Sequence, residues 1–140
     1  MIAVDTSALM AIVQGEPAGP ACLAAIDRND RIIMSAATLA ETLIVADRRG
    51  KSGQMAHVLE SLRAEVIELT EGRARRAADA YRRWGRGVHP AALNFGDCFA
   101  YALAEEYRCP LLFVGEDFAQ TDVKACLHPS RSGQAVVPQA

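Results

Sequence analysis

The sequence predicts a single α/β sandwich in which helices cover a mostly parallel sheet. Strand-like and helical runs alternate as β-α-α-β-α-α-β-α-α-β, the pattern of parallel strands joined by helical crossovers. Residues 110–114, Pro-Leu-Leu-Phe-Val, are apolar throughout, as a strand buried on both faces must be. A chain of 140 residues that is 51% hydrophobic fits one domain around one core.

Each element has a local reason. Residues 1–4 read as a short strand and residues 7–13 as a helix closed by the turn Gln14-Gly15-Glu16-Pro17. Residues 18–27 are helical, and residues 31–34 form a second strand bounded by Asn29-Asp30. Ser35 then caps a helix running to about residue 47, since a serine hydroxyl can accept from an unpaired N–H of the first turn. After a polar turn over 48–53, residues 54–64 place Met55, Val58, Leu59 and Leu62 at i, i+3, i+4 and i+7, one face of an amphipathic helix. Glu65-Val66-Ile67-Glu68-Leu69 alternates polar and apolar, as a half-buried strand does. Thr70 caps a helix over 71–84, with Glu71 set against the positive end of its dipole. A loop over 85–94 holds Gly85, Gly87 and Pro90; a helix over 95–107 and the apolar strand follow. Residues 1–129 form the expected domain, and 130–140, small and polar, the expected mobile tail.

Composition removes several classes of function. No apolar run approaches the ~18–20 residues that cross a bilayer. Met1 leads straight into a strand-like segment without a signal or transit peptide, so a cytoplasmic location is expected. The four cysteines, Cys22, Cys98, Cys109 and Cys126, contain no C-x-x-C pair, which argues against a zinc knuckle or a redox motif and for buried free thiols. His57, His89 and His128 are too dispersed for a metal triad. A net charge of −2 announces no polyanion partner, but local patches can steer one.

The informative residues are acids. Asp5 ends the first strand, and in a parallel sheet ligands bind at the carboxyl ends of strands. Glu41 lies on the helix after the second strand, Asp97 starts the helix before the last strand, and Asp117 follows that strand, with Asp122 close behind. All of these positions lead to one edge of the sheet. Each has an ordinary alternative: Asp5 as an N-cap, Glu41 as a solvated residue, Asp97 as a partner of the helix dipole, Asp117 as a turn residue. Together they point to chemistry. Like charges repel, so gathered carboxylates call for a cation. Oxygen-rich clusters suit Mg²⁺ and Mn²⁺, which favour phosphate-bearing substrates, and phosphodiester hydrolysis is the reaction this suggests.

Four motifs in order carry a resemblance: Ile2-Ala3-Val4-Asp5-Thr6-Ser7-Ala8, Ser35-x-x-Thr38-Leu39-x-Glu41, Leu93-Asn94-Phe95-Gly96-Asp97-Cys98 and Leu112-Phe113-Val114-Gly115-Glu116-Asp117-Phe118. Up to about Asp122 the chain resembles the PIN domain, and within it the VapC-type toxins of bacterial type II toxin–antitoxin pairs. The resemblance implies a three-layer α/β/α fold and a magnesium- or manganese-dependent endoribonuclease. In such an enzyme Asp5 and Asp97 bind the main ion, Glu41 binds or orients the attacking water, and Asp117 completes the pocket, with Asp122 an alternative for that last place. Thr6 or Ser7 holds a carboxylate, a metal-bound water or a phosphate oxygen. The implied cut in single-stranded or looped RNA leaves a 5′-phosphate and a 3′-hydroxyl. A cognate antitoxin that covers the groove, and a homodimer, are the implied partners. The apolar faces of the helices over 18–27 and 54–64 are offered to one or the other.

Arg73, Arg75, Arg76, Arg82, Arg83 and Arg86 form the one basic concentration, either a solvated helix face or, with Trp84, a contact for RNA phosphates or for acidic groups of the antitoxin. Arg82 and Arg86 are the candidates for RNA. Competing functions fit less well. A hydrolase using Asp5 as nucleophile usually carries a second Asp two residues on, where Ser7 stands. A silent PIN-like binding module predicts a missing carboxylate, and none is missing. PIN nucleases of RNA processing or repair tend to be longer or to carry extra modules.

Overall fold

In the computed structural model, residues 1–127 and the backbone of residues 128–129 and 135–136 are described. The remainder of the expected tail, 130–134 and 137–140, lies outside the described residues.

The sheet owes its stability to burial, because its strands are short. Strands β1 (Ile2–Val4), β2 (Ile32–Ser35), β3 (Glu65–Ile67) and β4 (Leu111–Leu112) are all parallel in the order β3-β2-β1-β4. Every residue of β1, β2 and β4 is buried, whereas β3, at one edge, exposes Glu65 and Val66. Register pairs Ala3 with Ile33 on one side and with Leu111 on the other.

Side chains alternate across a strand, so β1 feeds two cores. Ile2 and Val4 pack with Leu9, Met10, Cys22, Met34 and Met55 on the face covered by α1 (Thr6–Val13), α2 (Gly19–Asp27) and α4 (Ser52–Leu62). Ala3 points the other way, into Ile33, Leu93, Tyr101, Leu111 and Phe113 beneath α5 (Glu71–Trp84) and α6 (Phe95–Tyr107). Helix α3 (Ala36–Arg48) follows β2 directly and touches both α1 and α6. The result is the three-layer arrangement that the sequence implied.

The helix starts follow their caps. Thr70 Oγ1 accepts from Arg73 N, Ser35 Oγ from Ala37 N, and Asp5 from Ser7 N. At the other end of the chain the expectation was too generous. Of residues 110–114 only Leu111 and Leu112 are strand. Pro110 has no N–H to give a ladder, and the Val114 N–H donates to Ser7 Oγ instead of to a neighbouring strand. Residues 124–126 run beside β4: Leu111 N donates to Lys124 O, and Cys126 N to Leu111 O. His128–Pro129 (β5) and Ala135–Val136 (β6) pair antiparallel, a hairpin that the sequence did not suggest. No helix among the described residues is long and apolar enough to cross a membrane.

Candidate active site

The carboxyl ends of β1 and β4 and the start of α6 meet in one cleft. Asp5, Thr6, Ser7, Glu41 and Asp97 line a space of about 340 Å³, with Gln14, Glu16 and Arg49 among its other walls.

Asp5 is 3% exposed, at the tip of β1. Its Oδ2 accepts from Ser7 N at 3.0 Å and from Ser7 Oγ at 2.6 Å, so it does cap α1. Ser7 Oγ in turn accepts from Val114 N at 3.0 Å. One hydroxyl therefore ties the tip of β1 to the end of β4. The other oxygen, Oδ1, is buried with no hydrogen-bond partner among the described residues. Buried carboxylate oxygens are seldom left this way, and such an orphan marks a place for an absent donor or cation. Burial pushes the Asp5 carboxyl up to about 6, helped by the charge of Glu41 and opposed by the bonds from Ser7.

Glu41 reaches the cleft from the second turn of α3. Thr6 Oγ1 donates to its Oε1 at 2.6 Å, and the same hydroxyl lies 2.9 Å from Thr42 Oγ1. Thr6 and Thr42 are both buried. Asp97 is the third residue of α6 and forms a capping box with Asn94. Asp97 N donates to Asn94 Oδ1 at 2.9 Å, and Asn94 N to Asp97 Oδ2 at 3.0 Å. Desolvation raises the Asp97 carboxyl to about 7; the Asn94 bond lowers it, while Asp5, Glu41 and Asp117 push it further up. The ordinary role and the chemical one coincide at Asp5 and Asp97: the cap holds one oxygen of each carboxylate.

Not every candidate from the sequence joins them. Asp117 is exposed beside the short 3₁₀ turn Phe118–Gln120 and does not line the cleft, although Asp97 feels its charge. Asp122 is engaged elsewhere, accepting from Tyr101 Oη and pairing with Arg83 at 3.3 Å. The hydroxyls of Thr6 and Ser7 are both spent on carboxylates. Arg82 pairs with Asp79, one turn away on its own helix. Neither Arg82 nor Arg86 lines the acidic cleft. A separate apolar groove of about 730 Å³, with Tyr81, Phe95 and Phe99 in its walls, runs beside α5 and α6.

Three residues in or behind the cleft were not picked out from the sequence. Arg49, just past the end of α3, is exposed and makes no salt bridge among the described residues. Thr42 supports Thr6, and Gly96 lies against Glu41. A helix-ending arginine looks like any other in sequence; its approach to the acids is a product of the fold.

Among the described residues, no three His, Cys, Asp or Glu side chains converge tightly enough to hold a metal ion by themselves. The donor chemistry nevertheless suits Mg²⁺ or Mn²⁺. All the candidate ligands are hard oxygens, one of them a buried orphan, and these ions commonly take one or two carboxylates while keeping several waters.

The PIN domain family matches residues 2–124. Ribonuclease VapC36 of Mycobacterium tuberculosis is 46% identical over 127 residues, covering 86% of this chain and 90% of the relative. The solved structure of Mycobacterium tuberculosis VapC20, a sarcin-ricin loop cleaving toxin, superposes with a TM-score of 0.70 at 17% identity, over 88% of this chain and 96% of that one. A toxin–antitoxin complex from Klebsiella pneumoniae gives a TM-score of 0.66 at 18% identity, over 87% and 93% of the two chains. The chain belongs to the PIN-domain family, in its VapC branch.

Proposed function

We propose that this protein is a divalent-metal-dependent endoribonuclease, the toxin of a toxin–antitoxin pair, and that Asp5, Glu41 and Asp97 carry its chemistry. The observation behind this reading is the unpaired Asp5 Oδ1, buried at a cleft whose walls also carry Glu41, Asp97 and Glu16. The names of its relatives, ribonucleases and toxins, support it from outside.

In this reading Asp5 and Asp97 hold Mg²⁺ or Mn²⁺, with Asp117 contributing from the outer edge. A bound ion would supply positive charge and lower the pKa of a coordinated water. Ser7 and Asn94 fix the two carboxylates by occupying one oxygen of each, leaving the others available to the ion. Glu41, steadied by Thr6, orients the attacking water and takes its proton. Arg49 supplies the cleft's cation for a neighbouring phosphate of the RNA strand, with Arg86 further out. The cut leaves a 5′-phosphate and a 3′-hydroxyl.

The antitoxin covers the acidic cleft, and a second copy of the chain completes the toxin. The shallow groove of Ile12, Leu23, Ile26 and Val58 between α1, α2 and α4 offers apolar surface for the former. The cytoplasm is its place of action, where RNA is within reach.

The deciding experiment expresses the wild type, Asp5→Asn and Asp97→Asn and maps RNA 5′ ends in the cells. New 5′-phosphate ends with the wild type alone are expected. No new ends with the wild type, or equal cutting by the variants, would sink the assignment.

A further inference from the structure

The first turn of α6 carries a glycine that the backbone does not require. Gly96 is the second residue of the helix, between Phe95 and Asp97, and is not among the glycines with positive φ. What it provides is space. A Cβ built at Gly96 would stand 1.9 Å from Glu41 Oε2, 2.6 Å from Glu41 Cδ and 3.1 Å from Oε1. The carboxylate of Glu41 thus lies directly on the bare α-carbon of Gly96. From α1, Thr6 Oγ1 grips the other oxygen at 2.6 Å. Glu41 is caught between a hydroxyl on one helix and an empty position on another, one residue from Asp97. It also rests at the amino end of α6, where the helix dipole favours a negative charge.

We propose that Gly96 is a positioning residue that places the Glu41 carboxylate in the cleft by leaving room for it, an inference that rests on the role given to Glu41 above. The atom in the way of a side chain at 96 is the far end of a flexible one, so an added methyl group displaces Glu41 and leaves the helix backbone where it is. Alanine is also the better helix former. Gly96→Ala therefore separates folding from function: the helix keeps its stability, and the carboxylate loses its seat.

The test uses the full-length chain as wild type, Gly96→Ala, Glu41→Asp and the double variant. Melting temperature, the crystal structure of Gly96→Ala and the cleavage kinetics of a single-stranded RNA are measured. Gly96→Ala is expected to melt no lower than the wild type, with Glu41 swung off Thr6 and α6 unmoved. Its kcat falls on the order of 100-fold, a loss that an ångström-scale misplacement can produce, while KM for RNA holds. In the Glu41→Asp background, where the shorter side chain clears the methyl, adding Gly96→Ala costs little further. The inference is overturned if Gly96→Ala cleaves like the wild type. Losses that multiply in the double variant also overturn it, as does a crystal structure with Glu41 in place and α6 pushed aside. A wild type that cuts no RNA removes the nuclease reading, and the position of Glu41 in the Gly96→Ala crystal still decides the role of Gly96.

Discussion

Along α5 and α6 acids are matched with arginines: Glu106 takes Arg73, Glu105 and Asp122 share Arg83, and Glu71 and Asp79 meet Arg75 and Arg82 on the same helix. In the cleft the opposite holds. Asp5, Glu41 and Asp97 receive hydroxyl and backbone N–H donors but, among the described residues, no salt bridge, although Arg49 stands in the same wall. Solvated pairs like those on the helices contribute little each and are easily exchanged. The cleft carries the reverse burden, charge brought out of water without compensation, visible in the raised carboxyls of Asp5 and Asp97. Under the proposed reading, a cation from outside supplies that compensation.

The sharpest way to break this contrast is to supply the cation. Mn²⁺ at a hundred times its dissociation constant should stabilise the wild type by about 2.7 kcal/mol, which for a chain of this size raises Tm by roughly 10 °C. Asp97→Asn should abolish most of that gain, and Asp122→Asn should leave it intact. Calorimetric scans with and without Mn²⁺ read the difference; an equal gain in all three would mean that the ion binds elsewhere.

The next effect is on pH. A carboxyl whose value in the fold lies above its unfolded value holds its proton more firmly when folded, so ionising it costs stability. For Asp5 and Asp97 that cost begins above about 4, near the ordinary aspartate value, and is complete above about 7. The metal-free protein should therefore lose stability between pH 5 and pH 8. Arg31–Glu65 runs the other way, but its contribution grows only up to the ordinary glutamate value and is nearly complete by pH 5. Urea midpoints at the two pH values test this: Asp97→Asn should flatten the fall, and a wild type equally stable at both would remove the idea of an uncompensated cleft.

The same contrast explains what the sequence made legible. Helices α5 and α6 were placed to the residue, because Thr70 advertises the start of the first and the loop with Gly85, Gly87 and Pro90 separates it from the second. Asp5 was readable because it ends an apolar run that can only be a strand. Strand β4 was overdrawn because apolar composition reports burial, and Phe113 and Val114 are wholly or partly buried without pairing. Asp122 misled because proximity in sequence to Asp117 says nothing of Tyr101 and Arg83, its partners from distant helices. Gly96 did leave a signal. Glycine inside a helix costs up to about 1 kcal/mol against alanine, and a costly residue in a helix calls for a neighbour that needs the room. Arg49 left none.

Arg49 offers a smaller effect that sharpens the comparison of paired with unpaired arginines. In the Asp5→Asn background, expected not to cut, Arg49→Gln should reduce the slope of log affinity for single-stranded RNA against log salt by about 0.7, the share of one phosphate contact. Arg82→Gln, already neutralised by Asp79, should leave that slope unchanged. Equal slopes for all three proteins would take Arg49 off the RNA.

The smallest expected effects belong to the belt itself. Arg73 grips Glu106 through two nitrogens, Nε to Oε1 at 3.2 Å and an Nη to Oε2 at 3.1 Å, and both side chains are about a quarter exposed. Arg75 and Glu71 share one 3.3 Å contact and are largely in solvent. Two-point geometry and partial shelter should make Arg73→Gln the more damaging substitution, and Arg75→Gln should shift Tm within about 2 °C. High salt should erase the small shift and only part of the larger one, because screening acts chiefly on exposed charges. Neither variant should alter the gain in Tm from Mn²⁺. If Arg73→Gln did weaken that gain, the belt and the cleft would be coupled through α6, and the separation between matched and unmatched acids would no longer hold.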